Sequence, residues 1–154
     1  TLVLQGPDGE RQQSANGFFL GTYWNDLQEH EILVELRIPV IKPGVGHGYS
    51  KLKRKTGDYA VAGSPVVVEL DGEVCSDIRI ALTNVAPMAI RVEAAESLLR
   101  GKVIDDALIE QAAAEVIKAC DPAEDLRGDA LYKSHMAAEM ARRSIRAALQ
   151  QARG

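Results

Sequence analysis

Two strand-like runs meet at Asp71-Gly72, and no other feature constrains the fold of this chain as tightly. Asp-Gly accepts the positive φ angles of a two-residue type I′ turn, which ties two antiparallel strands together. The incoming run, residues 60–70, carries the β-branched residues Val66, Val67 and Val68. The outgoing run, residues 73–84, places Val74, Ile78, Ile80 and Leu82 on one face. Pro65 inside the incoming run lacks an N–H for the ladder, so a bulge or a sheet edge is expected there. A shorter strand over residues 49–53 precedes it, joined through a turn at residues 54–57.

On either side of this sheet the pattern changes. Residues 1–40 read as strand, turn at Gly6-Pro7-Asp8-Gly9, short polar strand, helix-like segment and strand. In the last of these, Ile32, Val34, Leu36 and Ile38 alternate onto one face with Leu33 on the other. This is the pattern of a half-buried strand stopped by Pro39. Residues 40–48, with three glycines and one proline, read as a loop and as the boundary between two sub-domains. The chain begins at Thr1 and enters a strand-like run at once, which suggests a fragment of a longer protein. After Val85 the period becomes helical. One helix is expected over residues 91–100, closed by Gly101, and a second from the cap Asp105 to Ala119 with Leu108, Ala112 and Val116 on its stripe. The longest covers residues 131–152. It buries Ala137, Met140, Ala141, Ile145, Ala148 and Leu149, and carries Arg142, Arg143 and Arg146 on or beside the opposite face, expected to point to solvent. Strands first and helices after define an α+β sandwich with helices on one face of the sheet.

Composition narrows the function classes. The chain has 154 residues and a net charge of -4, which gives no general attraction to nucleic acid or to an anionic membrane. No apolar run approaches the ~20 residues of a membrane span. The two cysteines, Cys75 and Cys120, have no CxxC spacing and read as free buried thiols of a reducing, cytoplasmic setting. With only three scattered histidines beside them, they do not compose a zinc or iron–sulfur site. Val45-Gly46-His47-Gly48 is not a phosphate-binding loop, because no helix follows it. Asp105-Asp106 and Glu124-Asp125 sit where helix caps and loops belong.

One stretch carries unusual chemistry: Tyr49-Ser50-Lys51-Leu52-Lys53-Arg54-Lys55-Thr56-Gly57-Asp58-Tyr59-Ala60. On a strand, Lys51 and Lys53 share a face and Leu52 opposes them. Four cations within residues 51–55 can neutralise an anion; equally, they can form a solvated edge that discourages aggregation.

This stretch closely resembles the hairpin of the medium, flavin-binding subunits of molybdenum hydroxylases, the family of aerobic carbon monoxide dehydrogenases and xanthine dehydrogenases. Other motifs resemble that family in the same order: Phe18-Phe19-Leu20-Gly21, then Glu31-Ile32-Leu33 and Arg37-Ile38-Pro39, then Leu82-Thr83-Asn84-Val85-Ala86-Pro87. Last come Asp125-Leu126-Arg127-Gly128-Asp129 and the Tyr-Lys…Met…Arg-Arg pattern from Tyr132 to Arg143. The resemblance implies an α+β fold: the end of an FAD-binding sub-domain over residues 1–47, then a small antiparallel sheet packed with three helices over residues 48–154. It implies an oxidoreductase subunit that carries FAD and passes electrons to an external acceptor. Its partners would be a large molybdenum-cofactor subunit and a small subunit with [2Fe-2S] clusters, assembled as a dimer of heterotrimers.

The same resemblance assigns site residues. Leu33 matches a position whose main chain lies at the flavin, Lys51 a lysine that contacts it, and Tyr59 a tyrosine that covers one face of the isoalloxazine. Asp58 precedes that tyrosine and holds the turn. The competing roles are strand burial for Leu33 and core packing for Tyr59. A lysine near a flavin stabilises the negative charge of the reduced ring, and an aromatic cap supplies stacking area. The glycine-rich loops that hold the FAD pyrophosphate in the family do not occur here, so the chain is expected to supply one wall of the site and to bind free FAD weakly by itself. The other reading of the same fold is a docking module without redox chemistry.

Overall fold

The computed structural model describes residues 1–154, which divide into two compact units, Thr1–Ile41 and Lys42–Gly154.

In the first unit, β1 (Leu2–Gly6) pairs antiparallel with β2 (Gly9–Gln13) on one edge and with β5 (Ile32–Leu36) on the other. Between them lies a two-stranded ribbon of β3 (Phe19–Gly21) and β4 (Trp24–Asn25). The helix-like segment expected here is absent, because Tyr23 takes a positive φ of 56° and the chain folds back on itself as a ribbon. A small cluster of Leu2, Leu4 and Phe18 forms the core. Arg11 grips Glu31 with two bonds of 2.6 and 2.8 Å and donates to the Asp26 carbonyl at 2.6 Å. The strand expected to be half-buried, β5, is exposed along its length. Its pairing shifts register between Val3 and Leu4, which face Glu35 and Leu33 and leave Val34 unpaired. A bulge of this kind breaks the alternation that would have gathered Ile32, Val34 and Leu36 on one side.

The second unit is a four-stranded antiparallel sheet in the order β6-β7-β8-β9, from Val45–Leu52, Ala62–Asp71, Val74–Leu82 and Ile90–Arg91. Three helices cover one face: α1 (Glu93–Leu99), α2 (Asp106–Ala119) and α3 (Ala130–Arg153). Asp105 and Asp129 cap α2 and α3, accepting from the Leu108 and Tyr132 N–H groups. Val66, Val68, Ile78, Ile80 and Leu82 from the sheet meet Leu99, Val116, Ala141, Ile145 and Ala148 from the helices in one core. Arg142 and Arg146 do not simply face solvent as expected: they bridge to Glu110 and Asp106 of α2 at 2.8 and 2.9 Å.

Three local readings change. Residues 45–48, expected in a loop, begin β6. Their glycines serve close packing: a Cβ on Gly46 would strike the backbone of Ala148 and Ala152, and one on Gly48 the backbone of Ser144. Pro65 sits at neither a bulge nor an edge but in the second strand of four. Across from it, the Ala81 carbonyl accepts from the Ser64 hydroxyl at 3.0 Å, which replaces the donor that proline lacks. Cys75, not Val74, takes the inward position at the start of β8, because the β7–β8 pairing slips between Glu69 and Leu70. Burial pushes the Cys75 thiol up to about 11, so it stays an inert thiol.

Candidate functional site

The β6–β7 connection is a loop over residues 53–61, clamped where it leaves the sheet. Leu52 pairs with Ala62, and the Val61 N–H donates to the Leu52 carbonyl at 2.8 Å. The Asn84 side-chain amide donates to the Ala60 carbonyl. Asn84 itself adopts φ 65°, a conformation asparagine tolerates better than most residues.

Asp58 organises the tip. Its Oδ1 accepts from the Tyr59 N–H at 2.9 Å and its Oδ2 from Arg54 Nε at 3.3 Å. Arg127 approaches the same carboxylate at 3.5 Å. Burial alone would raise the Asp58 pKa. The bonds from Arg54 and the Tyr59 N–H, with the charge of Arg127, outweigh it and hold the carboxyl below its usual range. Its acceptor capacity is thus spent on Arg54, the Tyr59 N–H and Arg127.

Tyr59 is 79% exposed, so it is not a core residue. Its one aromatic contact is the Arg127 guanidinium, whose carbon lies 5.8 Å from the ring centroid. Lys51 lies on the exposed face of β6, paired in register with Gly63, and takes part in none of the ion pairs of the chain. Lys51, Asp58 and Tyr59 therefore belong to one hairpin. Leu33 belongs to the other compact unit, where it pairs with Leu4 and is 39% exposed, so it is not an ordinary buried strand residue.

Arg127 has no assigned role in the sequence reading. It sits in a tight turn in which Asp125 and Gly128 exchange backbone bonds and the Arg127 N–H donates to Asp125 Oδ1 at 2.7 Å. Asp125 also accepts from Lys133 Nζ at 2.8 Å, and that lysine is almost fully buried. An open groove of about 590 Å³ runs between the hairpin and this turn, lined by Leu52, Lys53, Arg54, Val61, Arg127, Gly128, Asp129 and Tyr132. The motif containing Arg127 was visible, but nothing local shows that residue 127 returns to residue 59.

The hydrogen bond from Lys133, helped by the Arg127 N–H, lowers the Asp125 carboxyl to about 2. A carboxylate depressed on folding contributes stability above its unfolded value of about 3.9, and that contribution fades as pH falls through the folded value. In urea titrations between pH 5 and pH 2, Asp125→Asn is expected to unfold earlier than the parent at pH 5. The two midpoints should converge near pH 2, and parallel curves would show that the bond contributes nothing.

The second unit is a sheet-and-helix domain that presents a basic hairpin with an exposed aromatic tip. The profile of the CO dehydrogenase flavoprotein C-terminal domain matches residues 47–148, and the chain belongs to that family. The carbon monoxide dehydrogenase medium chain of Hydrogenophaga pseudoflava is 53% identical over 147 residues, which cover 96% of this chain and 51% of that protein. The medium chain from Afipia carboxidovorans is 39% identical over 142 residues, covering 92% and 49%. The structure of carbon monoxide dehydrogenase from Hydrogenophaga pseudoflava, in a form lacking the Mo-pyranopterin moiety, superposes with a TM-score of 0.95 over 97% of this chain and 52% of that one. The chain thus spans about half the length of the relatives it matches.

Proposed function

We propose that this chain is the C-terminal half of the FAD-carrying medium subunit of a cytoplasmic molybdenum hydroxylase of the carbon monoxide dehydrogenase type. Residues 1–47 would complete an FAD-binding domain and residues 48–154 would form the flavoprotein C-terminal domain. The subunit's role is to pass electrons from the [2Fe-2S] clusters of a small partner to an external acceptor. A large partner with the molybdenum cofactor oxidises the substrate, in a dimer of heterotrimers. No helix of the chain is long and apolar enough to cross a membrane.

The observation that carries this reading is the exposed Tyr59 ring on a hairpin whose backbone is locked by Asp58, in a chain of a flavoprotein family. An aromatic ring left in water forgoes the gain of burial, and a planar ring stacked on it recovers that gain. The free ammonium of Lys51 on the same hairpin suits a ring that gains negative charge. FAD, when bound, supplies the two-electron carrier chemistry. This chain's own residues place a cation and an aromatic surface beside it and exclude water from that side. By the family resemblance Leu33 would contribute main chain to the flavin, and Asp58 would hold Tyr59 in place.

The test is the visible spectrum of the full-length subunit produced with its neighbouring subunits. Tyr59→Ala is expected to weaken FAD retention by about tenfold. Lys51→Ala is expected to lower the flavin reduction potential, because it removes a cation that favours the reduced form. A flavin indifferent to both changes would leave a docking module as the better reading.

A further inference from the structure

Arg127 is hard to explain by its own hydrogen bonding. Its Nε is buried and has no partner, which is uncommon and calls for a compensating role. The rest of the guanidinium reaches carboxylates only at long range: a 3.3 Å hydrogen bond to Asp125 and a 3.5 Å ion pair with Asp58. What the position does provide is the face of Tyr59. The Tyr59 backbone is held by Asp58, but its ring is otherwise in solvent, so this contact is what orients the side chain.

From this geometry we infer that Arg127 is a positioning residue for Tyr59. It latches the hairpin tip to the turn before α3 and lies over one face of the ring, leaving the opposite face free for a planar ligand. The latch runs from Arg54 to Asp58 to Arg127 to Asp125 and ends on buried Lys133, so the tip is referenced to the longest helix of the domain. The guanidinium is flat and delocalised, and it can stack on a ring and approach a carboxylate at once, which an ammonium does less well. The role toward a flavin rests on the reading proposed above; the latch itself does not.

Two measurements on the full-length subunit in its assembled complex separate these. The first uses flavin-free preparations and follows tryptic cleavage after Arg54 and Lys55. Arg127→Gln is expected to accelerate it several-fold, with Arg127→Lys intermediate, and equal rates in all three proteins would overturn the latch. The second follows FAD dissociation and the shape of the visible flavin band in Arg127→Gln, Tyr59→Ala and the double variant. Arg127→Gln is expected to weaken FAD by about 2- to 5-fold and to shift the band in the same direction as Tyr59→Ala. The double variant should match Tyr59→Ala alone, because a positioning residue has nothing left to position. Losses that multiply in the double variant would overturn the assignment. A flavin that ignores Tyr59→Ala while cleavage still responds to Arg127→Gln would keep the latch and refute the flavin contact instead.

Discussion

Gly48→Val is expected to destabilise the second unit severely. The Cβ it introduces would overlap the backbone of Ser144 in the middle of α3, and a helix backbone cannot swing aside as a side chain can. To make room, α3 must lift from β6. That movement breaks two bonds made by Ser144, from the Ser50 N–H at 2.8 Å and to the Ser64 carbonyl at 2.6 Å. It also opens the packing around Ala141, Ile145 and Ala148. Overpacking against a rigid neighbour costs about 3 kcal/mol, a large share of the stability of a small domain. Urea unfolding followed by circular dichroism should show a much lower midpoint with an unchanged slope. His47→Val is the control: His47 lies between the two close-packed glycines but its side chain is exposed. A Gly48→Val protein as stable as the control would mean that the helix does not lie this close to the strand.

The second large effect is expected at Glu96. This carboxylate is fully buried and satisfies three groups at once. It accepts from the Ile80 N–H at 2.9 Å, from Arg91 Nε at 2.9 Å and from Arg100 Nη2 at 2.8 Å, tying α1 to the central part of the sheet. Glu96→Ala removes the acceptor but leaves a buried backbone donor and two guanidiniums behind. Breaking a buried pair from one side typically costs about 3–5 kcal/mol. Both arginines are about one-third exposed, so water screens them and the lower end, about 3 kcal/mol, is expected. Glu96→Gln should fall between, because the amide oxygen can still accept from Ile80 while the charge is lost. Denaturant midpoints of the three proteins check the order, and a Glu96→Ala midpoint equal to the parent's would show that the cluster is stabilised elsewhere.

Neither residue was marked by local pattern. Glu96 reads as an ordinary charged position in a short helix, and Gly48 reads as a loop glycine. In both cases the deciding fact is a partner on another element: Ser144 of α3 for Gly48, and Ile80 of β8 for Glu96. The same holds for the arginines of α3, whose exposed-looking face meets the acidic residues of α2.

What the amino-acid order determined by itself is whatever depends on a few neighbouring residues. The Asp71-Gly72 turn joins β7 and β8 as its chemistry requires. Asp105 caps α2, and the apolar stripe of α3 from Ala137 to Leu149 is buried as its period demands. The hairpin carrying Lys51, Asp58 and Tyr59 was legible too, because a run of cations before Gly-Asp-Tyr is distinctive wherever it folds. Tertiary structure alone decided the rest. It turned Gly46 and Gly48 from loop residues into the seat of a helix. It let Pro65 stand inside the sheet by bringing the Ala81 carbonyl within reach of the neighbouring Ser64 hydroxyl, and broke the alternation of β5 with a bulge. It also brought Arg127 over Tyr59. The physical reason is common to all of these: turns, caps and periodicity are set by backbone torsions and nearest neighbours, whereas close approach, donor replacement and ring stacking depend on which distant segment the fold brings alongside.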